Sequence, residues 1–391
     1  MSERDSKIKE LLERGVEEII DRDNLEKKLK SGKKLRVKLG IDPTSPNLHL
    51  GRSIPLLKLR DFQELGHQIV FIVGDFTGVI GDTSDKESER PMLEQEVIEE
   101  NLKTYEKQAG KIIDLTKAEV RRNSEWLGKL GYSEIGKQAD VFSLNHFASR
   151  ENISKRMNAG KRVSLRELLY PLMQGYDSVA IEADVEIGGT DQRFNLLSGR
   201  DLQKFYNQEP QDIITNPLIE GLDGKKMSSS IGNTINFLDT PQDMFGKIMS
   251  LNDELIVRYF TLLTRVDMEK VKEHQMALEK GENPKDIKIK LAYEVVNFYH
   301  SKEEAEKAKE YFVKTFSERE MPTEIPEFKP KQYDIISVLT ESGLVSSKSE
   351  GRRVLSQKGV KVNGKVVEEI DYVVEKESVI QKGKINFLKV L

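Results

Sequence analysis

No cysteine occurs among the 391 residues, which excludes a disulfide framework, cysteine-based zinc sites and thiol nucleophiles. Histidine is scarce as well, and the five present are scattered without metal-ligand spacing. No apolar run approaches the ~18 to 20 residues of a membrane-spanning helix. The first residues, MSERDSKIKELLERG, mix both signs of charge and show no signal-peptide pattern. Net charge is also small, at -4. No overall field therefore draws in nucleic acid or membrane, and any nucleic-acid contact must come from a local basic surface. The expectation is a soluble cytoplasmic protein without a bound metal.

What is present suggests several domains, because 391 residues exceed one ordinary core and 37% apolar composition can fill more than one. Between Leu35 and Asn233, short apolar runs alternate with amphipathic stretches. RVKLGID, HQIVFIVGDF and SVAIEADVEIGG read as strands; SIPLLKLRDFQELG and RPMLEQEVIEENLKTYEKQAGKII read as helices. Such alternation implies an α/β fold with a Rossmann-like parallel sheet that binds ligands at the carboxyl ends of its strands. From about Thr240 to Phe316 charged helices dominate. SEREMPTEIPEFKPKQ, with three prolines, reads as a linker. From Tyr333 onward the chain carries 10 Lys and Arg against 8 Asp and Glu, a relatively basic tail.

Several stretches carry chemistry. In DPTSPNLHLGRSIP, the periodicity after Gly51 predicts a helix whose free N-terminal amides attract anions, with His49 just before it and Pro55 in its first turn. Taken alone, the stretch reads first as a His-Leu-Gly turn entering a core helix. The glycines of GDFTGVIGDTSDK match neither a dinucleotide nor a P-loop spacing, and Asp75 and Asp82 there read as turn residues or partners for a cation. Tyr170, Gln174 and Asp177 share one helical face in an otherwise apolar stretch, so they either satisfy one another or await a polar ligand. Asp191 and Gln192 follow a Gly-Gly pair at a strand end. GKKMSSSIGN places lysines and serine hydroxyls between two glycines, suited to a phosphate chain or to a solvated loop.

Together these stretches resemble the bacterial-type tyrosyl-tRNA synthetases, class I aminoacyl-tRNA synthetases. HLGR at His49 to Arg52 is similar to the HIGH motif, and KMSSS at Lys226 to Ser230 to the KMSKS motif. YPLMQGYD and GGTDQ look like the tyrosine-pocket and ribose segments, and SSKSEGRRVLSQKGVKVNGKVVEE looks like an S4 RNA-binding module. The resemblance implies a Rossmann-like catalytic domain over 1–233, an α-helical anticodon-binding domain over 234–317, a linker over 318–332 and a small α+β S4-like domain over 333–391.

By the same resemblance, His49 and Thr44 contact the ATP phosphates, Gly51 faces the adenine and Asp191 holds the ribose. Met227, Ser228, Ser229 and Ser230 flank the nucleotide beside Lys226. Asp177 accepts from the tyrosine phenol, Asp82, Tyr170 and Gln174 hold its ammonium, and Gly40, Asp42 and Gln192 complete the pocket. Lys86 and Arg90 lie on a loop that comes near the phosphates, or are surface charge. Lys348, Arg352 and Arg353 meet tRNA phosphates. ATP with its Mg²⁺, L-tyrosine and tRNA(Tyr) are the implied substrates, and a homodimer the implied assembly. The nucleophile is a carboxylate, so positioning and charge stabilisation suffice without a general base.

Three departures stand out. Lys38 replaces a tyrosine that contacts the phenol in many members, and so either points away or pairs with an acid. Arg52 ends the HIGH-like motif, and Ser229 replaces the second lysine of KMSKS, with Lys225 offered as partial compensation. Two other readings stay open: a paralogue that passes its amino acid to another acceptor, and an RNA-binding protein that retains the fold without catalysis.

Overall fold

The computed structural model describes residues 2–83, 92–317, 325–383 and 386–391. Six strands form the main sheet: β1 (Glu18–Ile20), β2 (Arg36–Ile41), β3 (Gln68–Val73), β4 (Ala118–Arg122), β5 (Val185–Gly189) and β6 (Asp212–Asn216), ordered β1-β6-β5-β2-β3-β4. All neighbours are parallel except β1 with β6. Strand order reverses beside β2, whose neighbours are β3 and β5, and that switch point is where such sheets open a crevice for ligands.

Burial on both faces explains the continuous apolar run of β3. Ile69, Phe71 and Val73 enter the main core, while Val70 and Ile72 pack with Ile181, Ala183 and Trp126. SVAIEADVEIGG is only partly strand. Ser178 to Ala180 end the Leu165–Ala180 helix, whose apolar face continues through them, and extended backbone begins at Val185. That helix packs closely on the Arg193–Phe205 helix because Gly175 brings no side chain; a Cβ there would sit 3.1 Å from the Ser198 backbone.

The region after Asn233 is helical, from Pro241–Met249 to Lys302–Ser317. It shares one hydrophobic core with the sheet, running from Ile8 to Ala308. The Glu3–Glu13 helix joins the same core, and the guanidinium of Arg14 behind it donates to the carbonyls of Phe260, Thr261 and Thr264. The sheet and the helical region are therefore welded together.

The tail has its own core, built around Ile335, Val338, Leu355, Val360 and Ile380. Its five strands are β7 (Glu327–Phe328), β8 (Val360–Val362), β9 (Lys365–Val366), β10 (Val379–Lys382) and β11 (Asn386–Val390). β7 lies inside the expected linker yet pairs in parallel with β11, so that part of the segment belongs to the small sheet. β8 and β9 form the expected hairpin, with Asn363 and Gly364 at φ 50° and 81°, the signs a type I′ turn requires.

Candidate active site

One cavity opens at the carboxyl ends of the parallel strands. Gly40 and Asp42 line it from the end of β2, Gly74 from β3, Gly188 and Gly189 from β5, and Asn216 from β6. His49, Gly51 and Arg52 come from the start of the Leu50–Glu64 helix, Tyr170, Gln174 and Asp177 from the Leu165–Ala180 helix, and Lys226 to Ser230 from the KMSSS loop. Thr44, Asp82, Asp191 and Gln192 also face it.

At the deep end sits Asp177, 3% exposed. Trp126 donates its indole N–H to Asp177 Oδ1 at 2.8 Å, and Asn123 Nδ2 approaches Oδ2 at 3.4 Å. Asn123 also donates to Thr77 Oγ1 at 2.9 Å, and Thr77 donates to Asp42 Oδ1 at 2.7 Å. Tyr170 closes the chain by donating its hydroxyl to Asp42 Oδ2 at 2.7 Å. Burial pushes Asp177 up to about 7, against the opposing charge of Lys38. Burial likewise raises Asp42 to about 6, against hydrogen bonds from Thr77 and Tyr170. Two buried carboxyls that titrate near neutrality favour a ligand that brings its own donors and positive charge.

The wall around the Leu50–Glu64 helix differs from the sequence expectation. The amide of Leu50 donates to Ile235 O at 2.8 Å, and that of Gly51 faces the Met227 sulfur at 3.3 Å. The first amides of this helix are thus engaged by the KMSSS loop and by the strand-like segment that follows it. The helix starts at Leu50, so Pro55 falls in its second turn and leaves the Gly51 carbonyl without an amide from that position. His49 caps the helix with its backbone, and its Nδ1 is buried with no hydrogen-bond partner among the described residues. Burial first, then the nearby Arg52 and Lys226 charges, push His49 down to about 3, leaving a neutral ring near pH 7.

The KMSSS loop is held from below. Asn233 Oδ1 accepts from the Ser228 amide at 2.8 Å, while Asn233 Nδ2 donates to Asp223 at 2.6 Å and to the Lys226 carbonyl at 3.1 Å. Met227 is buried beneath the loop, and Ser229 and Ser230 are exposed at the cavity. Across the cavity, Lys226 pairs with Asp191 at 3.0 Å. Lys225 is exposed and does not line the cavity, so it does not supply the charge missing at Ser229 in this conformation. Arg52 also lines the cavity and brings a cation near His49.

Residues 30–317 match the family described as tRNA synthetases class I (W and Y), and residues 335–380 match the S4 domain. The chain belongs to the class I tRNA synthetases (W and Y). It is 47% identical over 385 residues to a tyrosine–tRNA ligase of Thermotoga maritima, with 97% of this chain and 96% of the relative covered. Identity to the tyrosine–tRNA ligase of Coxiella burnetii is 44% over 388 residues, covering 97% of each. In fold it is similar to a C-terminally truncated mitochondrial tyrosyl-tRNA synthetase of Aspergillus nidulans. The TM-score is 0.67 at 21% identity, over 79% of this chain and 94% of that one.

In this class I synthetase the sequence-derived site residues from Gly40 to Ser230 converge on the one cavity, apart from Lys86 and Arg90, which lie outside the described residues. Some partnerships inside it were not expected. Gln192 donates to Asp82 at 2.7 Å, so these two meet each other. Thr77, Asn123 and Trp126 were missed altogether. Asn123 and Trp126 gave a weak signal because β4, which delivers them, is the edge strand AEVRR, too charged to read as a buried strand. Far along the chain, Lys348, Arg352 and Arg353 are exposed on the Lys348–Ser356 helix of the S4 domain, with Lys348 and Arg352 one turn apart.

Proposed function

We propose that this chain is a tyrosine–tRNA ligase. It activates L-tyrosine with ATP to tyrosyl-adenylate and pyrophosphate, then passes the tyrosyl group to the 3′ end of tRNA(Tyr). Buried Asp177 carries the reading: a fixed acceptor at the closed end of a cavity whose other end is lined by His49 and the KMSSS loop. An acceptor left unpaired by phenylalanine supports discrimination by ~10⁴ to 10⁵.

The cavity's polarity supports roles along its length. The ammonium group of tyrosine meets Asp82, Tyr170, Gln174 and Asp42, an acidic wall. Gly40 and Gln192 flank the substrate. The carboxylate then faces the α-phosphate of ATP, which enters with its Mg²⁺ as substrate. Thr44, neutral His49, Arg52 and Lys226 stabilise charge on the phosphates, and Ser228, Ser229 and Ser230 offer hydroxyl donors. Asp191 holds the ribose once ATP displaces Lys226 from it, and Gly51 with Met227 lies under the adenine. The carboxylate is already the nucleophile, so the site needs no base. The S4 domain holds tRNA phosphates through Lys348, Arg352 and Arg353.

The division at 233, 317 and 332 is retained as the functional plan, with residues 234–317 facing the anticodon. A homodimer is supported by the large apolar side chains exposed on successive helical segments: Tyr132 at 95%, Leu144 at 68%, Met157 at 54% and Leu165 at 78%. No helix among the described residues is long and apolar enough to cross a membrane. A cysteine-free enzyme that consumes ATP and tRNA belongs in the cytoplasm.

The test is tyrosine-dependent exchange of labelled pyrophosphate into ATP, followed by charging of tRNA(Tyr). Both are expected. Absence of exchange overturns the proposal, and exchange without charging assigns the tyrosyl group to another acceptor.

A further inference from the structure

Beneath the tyrosine end of the cavity lies an ion pair that no part of the proposed reaction uses. Lys38 on β2 and Glu186 on β5 stand opposite each other in the parallel ladder, and their side chains meet at 2.8 Å with 0% and 1% of their surface exposed. Neither lines the cavity. Isolated buried charge is costly, and a buried pair persists when its remaining hydrogen-bonding capacity is filled.

Here it is filled. The Lys38 ammonium has three donors and three acceptors: Glu186 Oε1, the Gln174 carbonyl at 2.8 Å and Ser178 Oγ at 2.8 Å. Glu186 Oε2 accepts from Ser178 Oγ at 3.1 Å and from Gln211 Nε2 at 2.5 Å. Its Oε1 also accepts from Gln174 Nε2, at 3.2 Å. Four of these contacts fall on Gln174 and Ser178, the turn of the Leu165–Ala180 helix that carries Asp177.

We infer that Lys38 and Glu186 are positioning residues for amino-acid recognition: they clamp the Gln174–Ser178 turn, so that Gln174 and Asp177 present acceptors to a bound tyrosine. Engagement of Gln174 Nε2 with Glu186 commits the amide nitrogen to the sheet side and leaves the acceptor Oε1 for the cavity, the atom an ammonium group requires. Lys38 is also the cation whose charge draws Asp177 toward its ionised form, the better acceptor for a phenol. The lysine that stands in place of a phenol-contacting tyrosine therefore acts from beneath the pocket, through the helix.

This inference rests on the proposed ligase function, and its test separates the two. Two variants are compared with the parent in pyrophosphate exchange. Ser178→Ala removes one shared hydroxyl and leaves both charges in place. The double variant Lys38→Met with Glu186→Gln removes both charges and strands neither. Thermal unfolding reports whether each is folded. The expected result is a rise in tyrosine KM of roughly 3-fold for Ser178→Ala and ~10-fold or more for the double variant, with a lowered preference for tyrosine over phenylalanine. ATP KM stays within about 2-fold of the parent, as distance from the clamp dictates. If tyrosine KM and preference are unchanged in folded Ser178→Ala, or if tyrosine and ATP KM rise together, the clamp has no role in recognition. If the parent itself shows no tyrosine-dependent exchange, it is the ligase reading that fails.

Discussion

Trp126 and Asp177 come from different elements, the short helix after β4 and the Leu165–Ala180 helix, yet the indole N–H reaches the carboxylate at 2.8 Å. The carboxylate is thereby aimed before any ligand arrives. A hydrogen bond to a charged group contributes ~1.5 to 3 kcal/mol. Trp126→Phe keeps the aromatic packing against Ile181 and Ala183 and removes only the donor. Its tyrosine KM should rise ~10-fold or more in pyrophosphate exchange, and Asp177→Ala should go further and lose the preference for tyrosine over phenylalanine. Unaltered discrimination in Asp177→Ala would show that the phenol binds elsewhere.

Asp177 also sets a pH dependence. Burial raises its pKa to about 7, so without ligand it holds a proton below that pH and releases it above. The phenol donates best to the ionised form. Tyrosine affinity should therefore increase as pH rises from 6 to 8, with KM falling ~10-fold. The groups that face it are Lys38 on β2, Glu186 on β5, Trp126, Asn123 and Tyr170. Asp177→Asn should remove the larger part of this slope, leaving the smaller part that Asp42, at about 6, contributes, with that of ATP KM intact; an undiminished slope would assign the titration to another group.

In the proposed site Gly51 lies under the adenine, beside the His49 ring. A Cβ at this position would lie 3.0 Å from Cε1 and Nδ1 of His49, tighter than ordinary packing allows. Gly51→Ala should displace the imidazole, raise ATP KM ~10-fold and leave tyrosine KM unchanged. Because alanine favours helix over glycine by up to ~1 kcal/mol, the variant should be no less stable than the parent in thermal unfolding. Loss of stability would show that the ring cannot adjust.

The KMSSS loop offers a gain of function. Ser229 faces the cavity and Lys225 does not. Ser229→Lys should therefore speed tyrosine activation several-fold by adding charge where it develops on the phosphates, whereas Lys225→Ala should leave the rate within about 2-fold. Single-turnover measurement of adenylate formation distinguishes these outcomes, and a slow Lys225→Ala would return the compensating charge to that residue.

Legibility in the sequence followed burial and locality. Buried on both faces, β2 and β3 announce themselves as apolar runs, and Tyr170, Gln174 and Asp177 betray a polar stripe because a helix fixes their spacing. Edge strand β4, half exposed and charged, does not, so Asn123 and Trp126 stayed hidden behind it. Lys38 could be flagged as unusual, but the choice between pointing away and pairing with an acid depended on Glu186, which is remote along the chain and comes to stand opposite it only after the sheet forms. Amides at the start of the Leu50–Glu64 helix looked available because their acceptors, Ile235 O and Met227 Sδ, come from a segment whose return to that helix no local pattern encodes.

The core that runs unbroken from Ile8 to Ala308 also governs how the chain can be divided. Scission after Asn233 would bare two matching apolar surfaces, so neither fragment should be secreted, stored or refolded alone. Co-expressed, the same halves should find each other and reconstitute the cavity, because the seam that joins them is as oily as the interior of either.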